Sequence, residues 1–218
     1  MNRFCKPVSA AASRLALLLL AGCASAPGPA ELDAQALAML QGSFRDEGIA
    51  SVRRLEQDEA QRACSSDRAP SEEAARRIEQ TALATIRWPA NGQYLGDWRE
   101  GEKLAQSGRG MTWTDKSTSP AGNGGSCYNC HQLSPTEISY GTIGPSLYQF
   151  GLRRGVQDPR DPSAQAVVQY AWGKLNNAWA YQACSNMPRF GHRQLLDEQQ
   201  LKHLMALLLD PASPVNAR

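Results

Sequence analysis

The chain has 218 residues, with 23 Lys and Arg against 21 Asp and Glu and a formal net charge of +2. So even a balance offers no basic surface for nucleic acid. No stretch reaches the about 18 to 20 uninterrupted apolar residues of a membrane-spanning helix, and the length suits one domain with an appendage or two small ones.

Arg3, Lys6 and Arg14 precede an apolar run from Leu15 to Ala21, the pattern of an export signal over residues 1–22. Its removal leaves 20 basic against 21 acidic residues, so the basic balance of the precursor belongs to the targeting peptide. Two cleavage patterns compete. Ala24-Ser25-Ala26 suits an ordinary signal peptidase, and Leu20-Ala21-Gly22-Cys23 resembles a bacterial lipobox. Because the cysteine directly follows the apolar run, the lipobox is favoured. Cys23 is then the lipidation candidate, and the expected location is periplasmic with a lipid anchor in the membrane. Residues 23–30, mostly Ala, Ser, Pro and Gly, form a tether.

Residues 31–89 are expected to be a helical extension. Ile49, Val52 and Leu55 begin one amphipathic pattern. Ser71 is a candidate N-cap for a helix whose Ala74, Ala75, Ile78 and Ala82 share a face, with Trp88-Pro89 as its stop. Asn91-Gly92 is a turn signal, so a boundary is placed near residue 90, with the main domain over residues 90–216. The extension is rich in charge and poor in large apolar residues. It is therefore expected to pack on that domain or on another protein.

Cys127-Tyr128-Asn129-Cys130-His131 has the C-x-x-C-H spacing of covalent haem attachment. The two thiols add across the haem vinyl groups, and the histidine one helical turn from Cys127 is placed to reach iron. A zinc site would need a second ligand pair, and neither another C-x-x-C nor an H-x-x-x-H occurs. A thioredoxin-like dithiol would need a βαβ context that is absent. Of the six cysteines, Cys5 leaves with the signal and Cys23 is the lipid candidate. Cys64 and Cys184 remain, and in an oxidising compartment they are expected to form a disulfide.

Further along, Asp161 caps and Pro162 opens a helix with Val167, Val168, Ala171, Trp172 and Leu175 on its apolar face. Asp197 and Gln200 begin another, with Leu201, Leu204, Met205 and Leu208 at i, i+3, i+4, i+7, ended by Asp210-Pro211. Strand patterns are nearly absent, so the expected class is all-α. Candidates for a second axial iron ligand are Met187, His192, His203 and Met205. Met187 leads because it sits in an irregular stretch stiffened by Pro188, and His192 is the alternative. Met205 falls on an apolar stripe and reads as core, and His203 lies off it and reads as solvated.

From Gly96 onward the pattern resembles a class I cytochrome c. Gly96-Asp97, Gly101 and Leu104 are similar to its first helix, where a small glycine lets the last helix cross closely. Gly144-Pro145-Ser146-Leu147 followed by Gly151 resembles its proximal loop. There the Pro145 carbonyl is placed to accept a hydrogen bond from the other ring nitrogen of His131, and Leu147 to pack on the haem edge. Arg153 and Arg154 are candidates for a haem propionate or for solvent. The resemblance implies one haem c in a cytochrome c-like domain.

Gly110, Thr112 and Asp115, Gly124 to Leu133, Gly141 to Leu147, Asn186-Met187-Pro188-Arg189-Phe190-Gly191 and the terminal Leu208 to Asn216 together resemble the SoxX family of monohaem cytochromes, over roughly residues 88–216. That resemblance implies a heterodimer with a SoxA-type cytochrome, the pair acting as an L-cysteine S-thiosulfotransferase that oxidatively attaches thiosulfate to a cysteine of the SoxYZ carrier. It implies that the partner holds the substrate site and that this chain, with no catalytic residue of its own, passes electrons to a downstream cytochrome. The lipobox-like Cys23 departs from soluble relatives. A freestanding lipid-anchored electron carrier for a respiratory oxidase is the alternative.

Overall fold

The computed structural model describes residues 26–217. The signal segment and Cys23 lie outside the described residues. Six α-helices and several 3₁₀ turns form among them, and no strand does, so the described residues are of the all-α class that the sequence pattern leads one to expect. The chain divides after Arg45. The amino-terminal unit contains α1 (Pro29–Ser43), which starts on Pro29, carries Glu31 in its first turn, and buries none of its residues.

The second unit begins at Asp46. It contains α2 (Glu59–Cys64), α3 (Glu72–Ala84), α4 (Trp98–Gln106), α5 (Gln165–Asn176) and α6 (Glu198–Leu209). α3 starts where Ser71 accepts the Ala74 N–H at 3.2 Å. α4 is capped by Asp97, which accepts from Arg99 N–H at 2.8 Å. Asp161 accepts from Ser163 N–H at 2.8 Å, and Pro162 opens a 3₁₀ turn that runs into α5. The Asp197 and Gln200 side chains cap α6 reciprocally. Each cap satisfies a helix-end N–H that would otherwise be unpaired.

The core lies where α4, α5 and α6 meet. Val168, Ala171, Trp172 and Leu175 of α5 and Leu201, Leu204, Met205 and Leu208 of α6 are all buried. Burying each of the larger side chains contributes about 1.5–3 kcal/mol. The α4–α6 contact depends on Gly101: a Cβ there would lie 2.1 Å from the His203 carbonyl oxygen and 2.7 Å from its carbon. Nearby, Gly96 N–H donates to Lys202 O at 2.9 Å and Asp97 N–H donates to His203 Nδ1 at 2.9 Å. His203 is thus a fixed acceptor at the helix crossing and not the solvated residue its position off the stripe suggests.

Two parts of the extension differ from expectation. Ile49, Val52 and Leu55 do not form an amphipathic helix. Gly48 takes a left-handed turn with φ +54° against Trp113, and Asp46 accepts the Val52 N–H at 2.7 Å. A 3₁₀ turn, Val52–Leu55, comes next, with Val52 and Leu55 exposed. These local side-chain bonds give the backbone an alternative to helix. α3 also ends at Ala84, short of Trp88-Pro89, because the Thr85 hydroxyl donates to Ala82 O at 2.7 Å and the Asn177 amide donates to Thr85 Oγ1 at 2.9 Å.

Residues 46–89 belong to the same unit as α4, α5 and α6, so the division falls after Arg45 and none occurs near residue 90. Cys64 and Cys184 form a disulfide. On the chain-entropy account so long a loop closure stabilises by about 4–5 kcal/mol. Arg193 pairs with Asp58 at 3.0 Å, and Trp172 Nε1–H donates to Arg87 O at 2.8 Å.

Gly101→Ala tests the crossing. Alanine gains about 1 kcal/mol of helix propensity over glycine. Its methyl would nonetheless overlap α6 backbone, so the variant is expected to lose about 1–3 kcal/mol net in chemical denaturation. A stabilised variant would contradict the close approach.

Candidate cofactor site

The Cys127–His131 segment is a single tight turn. A 3₁₀ turn covers Cys127–Asn129, and both Cys130 N–H and His131 N–H return to Cys127 O, at 3.1 and 2.9 Å. Its approach is fixed from α4: Gly125 N–H donates to Leu104 O at 2.8 Å and Ser126 N–H to Ser107 O at 2.9 Å. Ser126, at φ 49°, turns the chain between them.

Residues 141–147 lie along this segment as a strap. Gly141 N–H donates to Tyr128 O, Gly144 N–H to Cys130 O and Leu147 N–H to Gln132 O, at 2.9, 2.9 and 2.8 Å. His131 Nδ1 sits 2.6 Å from Pro145 O. A carbonyl only accepts, so the bonded ring nitrogen is Nδ1–H, which leaves Nε2 with a lone pair for a metal. Gly144 lies against the ring, where a Cβ would be 2.1 Å from His131 Cε1 and 2.5 Å from Nδ1. The imidazole is therefore held by a hydrogen bond at one edge and bare backbone beside it.

A cavity of about 610 Å³ opens from this turn. Cys127, Cys130 and His131 line it from one segment and Met187 from another; Leu204, Leu207 and Leu208 of α6 contribute apolar wall. The volume falls in the range of cofactor pockets, about 300–1,000 Å³. Met187 N–H donates to Ser185 Oγ at 3.3 Å, and Trp179 Nε1–H donates to Ser185 O at 2.8 Å, so the stretch carrying Met187 is tied down just behind the disulfide. Cys184 itself lines the cavity.

The donor set fits haem on observations internal to the site. Both thiols and a correctly tautomerised imidazole face one apolar space, and a thioether faces it too. Among the described residues no group of three or more His, Cys, Asp and Glu side chains is placed to hold a bare metal ion. Burial pushes the Cys127 thiol up to about 12.

No family model matches the chain. Over 164 residues it is 35% identical to an uncharacterized lipoprotein of Aquifex aeolicus (strain VF5), the match covering 73% of each chain. The chain belongs to that protein's family. No helix among the described residues is long and apolar enough to cross a membrane.

Pro145 O is bonded to His131, and Leu147 lies on the cavity wall. His192 is not on that wall. Its N–H donates to Asn176 O at 2.9 Å, and burial, reinforced by nearby Arg189 and Arg193, pushes its imidazole below the ordinary range. Met205 is fully buried in the core. Arg154 reaches the cavity and Arg153 does not. Lys174 also lines it and escapes a reading of local pattern. As the lone cation of α5 next to an apolar face, it offers only a faint signal.

Gly144→Ala is expected to displace the His131 ring and break its bond to Pro145. The imidazole Nδ1–H resonance is expected to exchange slowly in the parent and rapidly in the variant; an unchanged resonance would show that the strap does not fix the ring.

Proposed function

We propose that this chain is a monohaem c-type cytochrome with a class I cytochrome c-like domain, which carries electrons for an oxidative sulfur-transfer complex of the SoxAX type. The single observation behind this is the cavity shared by Cys127, Cys130, His131 and Met187, with His131 oriented through Pro145. Cys127 and Cys130 would hold the group covalently, and His131 Nε2 and Met187 sulfur would ligate it; bound there, it would supply one-electron redox chemistry.

The surrounding residues suit conduction. The Pro145 carbonyl fixes the orientation of the His131 ring and leaves Nε2 as its free nitrogen. The buried α6 leucines and Phe190 exclude water from the wall. Met/His ligation would favour a higher potential than bis-histidine ligation. The substrate chemistry would then belong to a SoxA-type partner, which meets the SoxYZ carrier, and a downstream cytochrome would receive the electrons. Membership in a family with a named lipoprotein supports lipidation at Cys23 and a periplasmic, membrane-tethered position. That tether also suits the alternative, a freestanding lipid-anchored carrier for a respiratory oxidase.

Copurification separates the two. A tagged chain from thiosulfate-grown cells is expected to bring down a second haem protein; recovery of this chain alone, with growth on thiosulfate unaffected by its deletion, would favour the freestanding carrier. Met187→Ala is expected to abolish the weak long-wavelength absorption of a thioether-ligated ferric haem. Persistence of that band would remove Met187 as the ligand.

A further inference from the structure

α1 buries none of its residues, yet Leu32, Leu37, Met39 and Leu40, with Phe44 just past its end, are each 41–70% exposed. No other α-helix among the described residues exposes more than one large apolar side chain. At about 100° per residue these side chains fall on one half of the helix, and Glu31, Ala34, Gln35, Ala38 and Gln41 fall on the other. A helix of 15 residues with no covered face is only marginally stable in water, so this apolar half calls for a cover from outside the helix.

Its place in the chain says what lies nearest. Pro29 follows closely on Cys23, the lipidation candidate, and so short a link reaches at most about 20 Å. Lipid on Cys23 therefore keeps α1 beside the bilayer, where even a weak affinity for the surface acts at high effective concentration. The helix cannot cross: at 15 residues it is about 22 Å long, short of the about 30 Å of a hydrocarbon core. No Lys or Arg occurs from Cys23 to Phe44, whereas Glu31 and Asp33 are acidic. Anionic headgroups thus do not attract it, and apolar burial has to supply the affinity. Asp33, the one carboxylate on the apolar half, lies toward the amino-terminal end and leaves the last two turns as the deeper part.

We propose that α1 lies flat in the membrane surface, with Leu37, Met39, Leu40 and Phe44 among the upper acyl chains and Glu31, Gln35 and Gln41 toward water. This rests on lipid at Cys23 and not on haem. It makes α1 a second attachment beside the lipid, so the chain leaves the membrane at Arg45, at the surface, instead of from the end of a free stalk.

The experiment is hydrogen exchange of the α1 amides, read by mass spectrometry on the mature lipidated chain in phosphatidylcholine vesicles. It is repeated on L37E/F44E, on A34E/A38E, and on a soluble chain that carries Cys23→Ala behind a signal without a lipobox. The parent is expected to exchange about tenfold more slowly than the soluble chain. That protection is expected to be lost in L37E/F44E and kept in A34E/A38E, whose new charges lie on the other half. Added phosphatidylglycerol or salt is expected to change little. Equal exchange in the parent and L37E/F44E would overturn the proposal. So would protection already present in the soluble chain, which would assign the apolar half to a protein surface, or to a second copy if it rises with protein concentration. Protection confined to phosphatidylglycerol vesicles and lost in salt would overturn it too, by assigning the contact to headgroup charge. A mature chain with no lipid at Cys23, seen by intact mass before any exchange is measured, would instead defeat the lipid-anchor reading.

Discussion

The close approach of α4 to α6 at Gly101 sets the geometry on which the site depends. Backbone lies against backbone there, with no room for a methyl group between Gly101 and the His203 carbonyl. One consequence is that Leu104 O, near the end of α4, is fixed and available to the Gly125 N–H, which delivers the Cys127 turn. Another is that Ala105 of α4 and Leu204, Leu207 and Leu208 of α6 stand together on the cavity wall. The turn that carries the two thiols and the wall that faces them are thus products of one packing contact.

Two further constraints complete the cavity from other directions. The strap over residues 141–147 repeats backbone bonds along the Cys127 segment and ends by orienting His131 through Pro145. The Cys64–Cys184 disulfide secures the opposite partner in sequence, since Cys184 shortly precedes Met187 and lines the cavity with it. The segment from Asp46 through α3 is therefore an integral support of the site. It holds the Met187 stretch through the disulfide, through Asp58 on Arg193 and through Glu79 on Ala183 N–H.

Legibility in the sequence tracks the range of the interactions involved. α3, α5 and α6 could be read because Ser71, Asp161 and the Asp197–Gln200 pair are caps acting within a few residues, and their apolar faces repeat with helical period. The C-x-x-C-H turn is equally local. The unit division after Arg45 was not legible, because residues 46–89 are held by contacts distant in sequence. The left-handed turn at Gly48 was hidden for the same reason: it answers to Trp113, far along the chain. His203 looked solvated because a backbone N–H from another helix is invisible to periodicity. Lys174 was not legible because no sequence window shows which side of α5 borders the cavity.

The central claim is that Cys127 and Cys130 carry a covalently bound haem, and intact-mass measurement tests it most directly. Protein expressed with a cytochrome c maturation system and then fully denatured is expected to retain the mass and absorbance of one haem, with both lost in the Cys127→Ala, Cys130→Ala double variant. A denatured parent chain of unmodified mass and no haem absorbance would contradict the account.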